Sequence, residues 1–261
     1  MSFRFDRPGS FDRVGSTDLT AVSATAAALS LEQRLALIQQ VTAGRLVFTT
    51  SFGLEDQLVA DALAVSGIDA EWVTLDTGRL FPQTYDVWAA TERRYARRVT
   101  PFAPDASALV ELVLANGING FYDSAAGRQA CCGVRKIVPL GRALDGAAGW
   151  ITGLRAEQSP QRDGVAFASH DAARGLMKFN PLFDWPRDRV VAECQRRDVP
   201  LNALHNEGFA SIGCAPCTRA IRPGEPERAG RWWWEDDQAK ECGLHVGADG
   251  RLQRAPAGVP A

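Results

Sequence analysis

Three short runs rich in apolar and β-branched residues, RLVFTTS (45–51), AEWVTLDTG (70–78) and GWITGL (149–154), alternate with stretches of helical periodicity. That alternation is the strongest constraint on the fold, because strands that strictly alternate with helices assemble into a parallel sheet covered on both faces. Ser30 and Gln33 form a capping box ahead of Leu31, Leu35 and Ile38, so a helix is expected up to Gly44. After the first run, Leu54, Leu58, Ala62 and Val65 repeat at helical spacing, and further helices are expected near 83–95, 105–115 and 134–145. The polar segment 155–175 is too long for an ordinary connection. MKFNPLFDW follows as a short strand and turn, with Asp184 expected to cap a helix carrying Val190, Val191 and Cys194 on one face.

At 261 residues the chain suits one large domain, given about 150 residues per domain. We expect a flexible arm over 1–18, an α/β domain over 19–222 and a mobile tail over 223–261. With 29 basic against 31 acidic side chains the net charge is −2, which excludes a chain-wide nucleic-acid-binding surface. The amino end is polar and has no signal-peptide core, and no stretch has the roughly 18 apolar residues of a membrane span. The expectation is therefore a cytoplasmic protein, with neither a membrane nor a nucleic acid as partner. In a reducing compartment its six cysteines point to metal binding or catalysis rather than disulfides.

Cys131 and Cys132 with Cys214 and Cys217 supply four thiols, enough for a zinc site or an iron–sulfur cluster. Adjacent cysteines suit separate corners of a cubane better than one tetrahedral ion, so the pattern favours iron–sulfur. Cys194 falls on an apolar stripe and reads as core. Cys242 lies in a polar segment between Lys240 and His245, which suit a reactive thiolate, although an inert terminal cysteine would look similar.

The loop Ser51-Phe52-Gly53 joins a strand to a helix, where backbone N–H groups and the helix dipole favour an anion; an ordinary capped turn has the same local pattern. Asp76-Thr77-Gly78-Arg79 ends the next strand, where Asp76 can accept from a ribose hydroxyl and Arg79 can face a phosphate. Only 3 of the 29 cations are lysines. Lys136, Arg155, Arg162, Arg219 and Arg222 lie close in sequence to the thiol motifs and the polar loop, which suggests an anionic substrate. The tryptophans 232–234 suit either core or a hinge or docking patch.

Together SFGLED (51–56), LDTGRLFPQTYD (75–86), CCGVRKIVPL (131–140), ITGLRAEQSPQR (151–162), LHNEGFASIGCAPCTR (204–219), RWWWE (231–235) and KECGLH (240–245) resemble the assimilatory adenylylsulfate reductase family, close kin of the phosphoadenylylsulfate reductases. Phe209 stands where the pattern has tyrosine, and Gly133 where a basic residue is frequent. The resemblance implies an adenine nucleotide α-hydrolase-like fold and reduction of adenylylsulfate to sulfite and AMP, within sulfate assimilation and cysteine biosynthesis. It implies Cys242 as nucleophile, forming an S-sulfonate that thioredoxin or glutaredoxin resolves, and a [4Fe-4S] cluster on Cys131, Cys132, Cys214 and Cys217. Substrate contacts are implied for Ser51, Phe52, Gly53, Asp76, Thr77, Gly78, Arg79, Lys136, Gly153, Arg155, Arg162, Arg219, Arg222 and His245. The remaining readings are a phosphoadenylylsulfate or dual-substrate reductase, an adenylyl-transferring pyrophosphatase and a non-catalytic iron–sulfur redox sensor. A homo-oligomer is compatible with the sequence, which sets no oligomeric state.

Overall fold

A computed structural model of the chain describes residues 19–235. Six strands, β1 (Leu46–Thr50), β2 (Glu71–Leu75), β3 (Thr100–Phe102), β4 (Gly149–Ile151), β5 (Ala168–Asp171) and β6 (Leu176–Phe179), form one sheet of order β3-β2-β1-β4-β6-β5. All neighbours are parallel except the β5–β6 pair at one edge.

Strand side chains alternate between two apolar layers. Phe48, Trp72 and Ile151 face a core also filled by Leu35 and Ile38 of α2 (Leu31–Val41), Leu58 and Leu63 of α3 (Leu54–Ser66) and Val190 and Cys194 of α8 (Arg187–Arg196). Val47, Val73 and Trp150 face the opposite layer, against Leu140, Ala143 and Leu144 of α7 (Val138–Leu144). The doubly covered parallel sheet expected from the sequence is thus present, and Cys194 is a core residue.

Local signals set several of these elements. Ser30 Oγ accepts from Gln33 N at 3.3 Å while Gln33 Oε1 accepts from Ser30 N at 2.9 Å, completing the capping box that starts α2. Gly67 closes α3 in the left-handed conformation at φ 63°, which a residue with a Cβ adopts only at a cost. The remaining helices are α1 (Leu19–Ala27), α4 (Pro82–Tyr95), α5 (Ala106–Asn116) and α6 (Ala125–Cys132).

Four expectations need correction. The helix expected over 134–145 begins earlier, as α6 capped by Ser124, and continues through a π-helical turn at Gly133–Ile137 into α7. Asp184 does not cap α8, which starts after Pro186; its carboxylate instead holds the buried Arg34 guanidinium at 2.5 and 2.8 Å. Val65 is exposed, because the apolar stripe of α3 ends one turn earlier. The polar segment 155–175 contains two short 3-10 turns and the edge strand β5.

Residues 223–235, expected in the tail, pack against the body. Trp232 is fully buried, and Glu235 pairs at 2.6 Å with Arg128, itself buried. Residues 1–18 and 236–261, with Lys240, Cys242 and His245, lie outside the described residues.

Candidate active site at the carboxyl ends of the strands

The chain leaves β1 for β2 on one side and later enters β4 on the other, so the strand order reverses between β1 and β4. Open α/β sheets place ligands at such a switch point, beyond the carboxyl ends of the strands. A cleft of about 200 Å³ lies there, lined by Thr49, Thr50 and Ser51 at the end of β1, Thr74 and Thr77 around the end of β2, and Thr152 and Gly153 after β4.

The loop after β1 is held open by its own side chains. Ser51 N and Oγ both donate to Asp56 Oδ2, at 2.6 and 2.7 Å, and Phe52 N donates to Thr50 Oγ1 at 2.9 Å. Phe52 adopts the left-handed conformation at φ 57° while its ring is buried and stacks on Trp88 at 5.6 Å. The ring therefore anchors the loop from below rather than lining the cleft. Gly53, Leu54 and Glu55 bring the amino end of α3 to the cleft, an arrangement that favours anions. A Cβ on Gly153 would lie 2.4 Å from Asp56 Oδ1, so only glycine lets β4 approach this loop. Burial pushes the Asp56 carboxyl up to about 6, and the adjacent Glu55 charge adds to the shift against the Ser51 hydrogen bonds.

Among the described residues four cations line the cleft: Lys136, Arg162, Arg228 and Arg231. The π-helical turn carries Lys136, which is buried. Arg162 donates through Nη1 to Gln158 Oε1. Arg231 reaches Ser211 Oγ at 3.3 Å and Ile212 O at 3.4 Å, and a Cβ on Gly213 would lie 2.2 Å from its Nη2. Sequence reasoning missed Arg228 and Arg231 and selected Arg219 and Arg222, which are nearer the CxxC. Arg219 pairs with Glu225 at 2.8 and 3.1 Å, and Arg222 N donates to the same carboxylate at 2.9 Å; neither lines the cleft. That three-residue ring was the readable signal, since Glu225 follows Arg222 by three positions.

Other expected contacts also lie away from the cleft. Arg155 is fully buried behind the wall, its guanidinium held between Glu55 at 2.7 Å and Glu227 at 2.8 Å. Burial works to raise the Glu55 pKa, but the Arg155 charge overrides it and holds the carboxyl below its ordinary value. Asp76 closes a tight turn, accepting from Gly78 N at 2.9 Å and Tyr85 Oη at 2.8 Å, and Gly78 takes φ 67° there. Arg79 donates to Ile118 O at 2.5 Å and lies over the Phe121 ring at 5.1 Å. Ser51, Gly53, Thr77, Lys136, Gly153 and Arg162 do line the cleft.

The wall beside Lys136 is shared with a second, smaller cavity, lined by all four motif cysteines together with Arg79, Arg128, Arg135 and Lys136. The CxxC reaches it by docking on the β2 loop: Leu80 bridges Cys214, and Ala215 N donates to Arg79 O at 2.8 Å. Cys131, Cys132, Cys214 and Cys217 are not joined in disulfides. Among the described residues no three His, Cys, Asp or Glu side chains stand ready as a metal-ligand set. The donor set nonetheless fits an anionic iron–sulfur cluster, with four thiols on one cavity inside a ring of cations. Burial opposes ionisation of Cys214, but the Lys136 charge and the Thr77 hydroxyl at 3.2 Å hold its pKa below the ordinary thiol value. Burial drives Cys217 up to about 12.

Trp232 is core, whereas Trp233 is 40% exposed and Trp234 packs on Tyr122 at 4.5 Å. Among the described residues no helix is long and apolar enough to cross a membrane.

The segment that builds this sheet, its cleft and the four-thiol cavity matches a known family. Residues 45–220 match the phosphoadenosine phosphosulfate reductase domain, and the chain belongs to that family, as its motifs imply. Its relatives there include the adenosine 5'-phosphosulfate reductase of Agrobacterium fabrum (strain C58 / ATCC 33970), 49% identical over 231 residues and covering 88% of each chain. That of Allochromatium vinosum is 50% identical over 200 residues, 77% of this chain and 78% of the relative. The fold is also that of a phosphoadenylyl-sulfate reductase from Candida auris, at TM-score 0.68 and 23% identity over 80% of this chain and 99% of the other.

Proposed function

We propose that the chain reduces adenosine 5'-phosphosulfate to sulfite and AMP in the assimilation of sulfate into cysteine. The observation that carries this reading is the cleft itself, where strand-end hydroxyls, the amino end of α3 and four cations converge beside the four-thiol cavity. The names of relatives about 50% identical support the same substrate.

In this reading the Ser51 loop holds the nucleotide, and Lys136, Arg162, Arg228 and Arg231 neutralise its phosphate and sulfate oxygens. The Cys242 thiolate attacks the sulfate sulfur, the sulfur–oxygen bond to phosphate breaks, and AMP leaves with the electron pair. A thiolate of thioredoxin or glutaredoxin then attacks the Cys242 sulfur of the S-sulfonate and expels sulfite. The donor's second thiol resolves the mixed disulfide and returns Cys242 as a thiol. The two electrons come from the dithiol, which becomes a disulfide. A donor kept reduced places the reaction in the cytoplasm. Cys131, Cys132, Cys214 and Cys217 would hold a [4Fe-4S] cluster, which when bound supplies fixed charge beside the cations of the shared wall. His245, three positions after Cys242 in sequence, is assigned to the substrate.

A single turnover with adenosine 5'-phosphosulfate labelled at sulfur tests the scheme. The label should map to Cys242 before donor is added, and Cys242→Ser should form no adduct. An adduct on the Ser variant would overturn the nucleophile assignment.

A further inference from the structure

A cation with no exposed surface sits behind the cleft wall. Arg155 Nε donates to Glu55 Oε1 at 2.7 Å, Nη2 to Glu227 Oε2 at 2.8 Å, and Nη1 reaches Trp185 O at 3.4 Å. Its two carboxylate partners line the cleft, although the guanidinium does not. Arg187 of α8 adds a second hold on Glu227, at 3.1 Å.

A buried ion pair is seldom more stable than apolar side chains of the same volume, so stability alone is a weak reason for this arrangement. Two geometric consequences give it a stronger one. Glu55 stands in the first turn of α3, beside the Ser51 loop, while Glu227 directly precedes Arg228 and lies one turn before Arg231. Arg231 N donates to Arg228 O at 2.9 Å and Ala229 N to Pro226 O at 2.9 Å, so the segment after Pro226 is a pair of successive tight turns linked by its own backbone. Fixing Glu227 therefore fixes both arginines relative to the Ser51 loop. Without the guanidinium, two carboxylates would also face an anionic ligand uncompensated.

We propose that Arg155 and Glu227 form a positioning strut that aims Arg228 and Arg231 at the nucleotide phosphate and cancels the carboxylate charge in the cleft wall. This rests on the reading of the cleft as a nucleotide site. Arg155, expected from sequence to touch substrate, acts in this assignment through its carboxylate partners.

The test is a double-mutant cycle on AMP affinity, by calorimetry with the full chain as purified. Glu227→Gln should weaken AMP binding at least tenfold, and Glu227→Asp should recover part of the loss. Arg155→Met should weaken it by at least as much, and the double variant should be no worse than Arg155→Met. Hydrogen exchange in residues 223–235 should rise in Glu227→Gln while amides of β1 and β2 keep their protection, a pattern that general destabilisation would not give. Wild-type affinity in Glu227→Gln, or penalties that simply multiply in the double variant, would overturn the strut. If Arg155→Met does not fold, Glu227→Gln with its exchange pattern decides the matter. A wild-type chain that binds AMP without turning over adenosine 5'-phosphosulfate would overturn the proposed function and leave the strut standing.

Discussion

The cleft and the cysteine cavity are neighbours built in opposite ways. The cleft is assembled from the ends of parallel strands, and Thr49, Thr74 and Thr152 line it because the switch point brings those strand ends together. The cysteine cavity owes little to the sheet. It forms where α6 and its π-helical turn meet a 3-10 turn, Ala215–Cys217, that docks on the loop after β2. A site of the first kind is robust to side-chain change so long as the backbone is kept, whereas the second depends on individual side chains. Lys136 and Cys214 line both, so charge placed in one cavity is felt in the other.

The largest expected effect therefore comes from the shared wall. Lys136→Ala should lower turnover of adenosine 5'-phosphosulfate by roughly 10²- to 10³-fold, the scale for loss of one preorganised charge donor. It should also alter the cysteine cavity, seen as a changed rate of Cys214 alkylation in metal-free protein, because the Lys136 charge holds that thiol's pKa down. Cys217→Ser is the contrast: Cys217 lines only the cysteine cavity, so AMP affinity should be kept. Loss of AMP affinity in Cys217→Ser would show that the two regions are not separable.

Gly153→Ala probes the cleft alone and should have a smaller effect. The added Cβ meets Asp56 Oδ1 at 2.4 Å and Glu55 Cβ at 3.0 Å, which forces the Ser51 loop and β4 apart. Overpacking of this kind costs about 1–3 kcal/mol, and AMP affinity should fall with it while alkylation of the motif cysteines stays at the wild-type rate. An unchanged AMP titration would mean that the loop does not contact the nucleotide.

The same division explains what was legible in the sequence. β1, its loop and α3 were readable because each signal is local: a short β-branched run, a glycine, then helical spacing. β3 is three residues long and β5 lies inside a polar segment, so neither carries a periodic signal. The four cysteines stood out as a set by residue type and spacing, but the π-helical turn that carries Lys136 past them has no sequence signature. Arg155 was the hardest residue to read, since its partners Glu55 and Glu227 lie 100 and 72 positions away and only the fold brings them together. From sequence a buried strut and a substrate-binding arginine look the same.

Asp56 gives the smallest and most selective probe, because it acts on the cleft through a proton. Its ordinary carboxyl value is 3.8, and in the fold burial raises it to about 6. The folded chain thus holds this proton more tightly than the unfolded one, so the group's contribution to stability is full below about pH 4 and is lost as pH rises through 6. Asp56→Asn is neutral at every pH and keeps an oxygen that can accept from Ser51 N and Oγ. Between about pH 4 and 6 the Tm of the wild type should therefore fall relative to that of the variant, and the difference should level off above that range. The motif cysteines, which Asp56 does not touch, should alkylate alike in both proteins. A Tm difference independent of pH would mean that Asp56 is ionised throughout, and below about pH 6 the cleft wall would then carry one more negative charge than its burial implies.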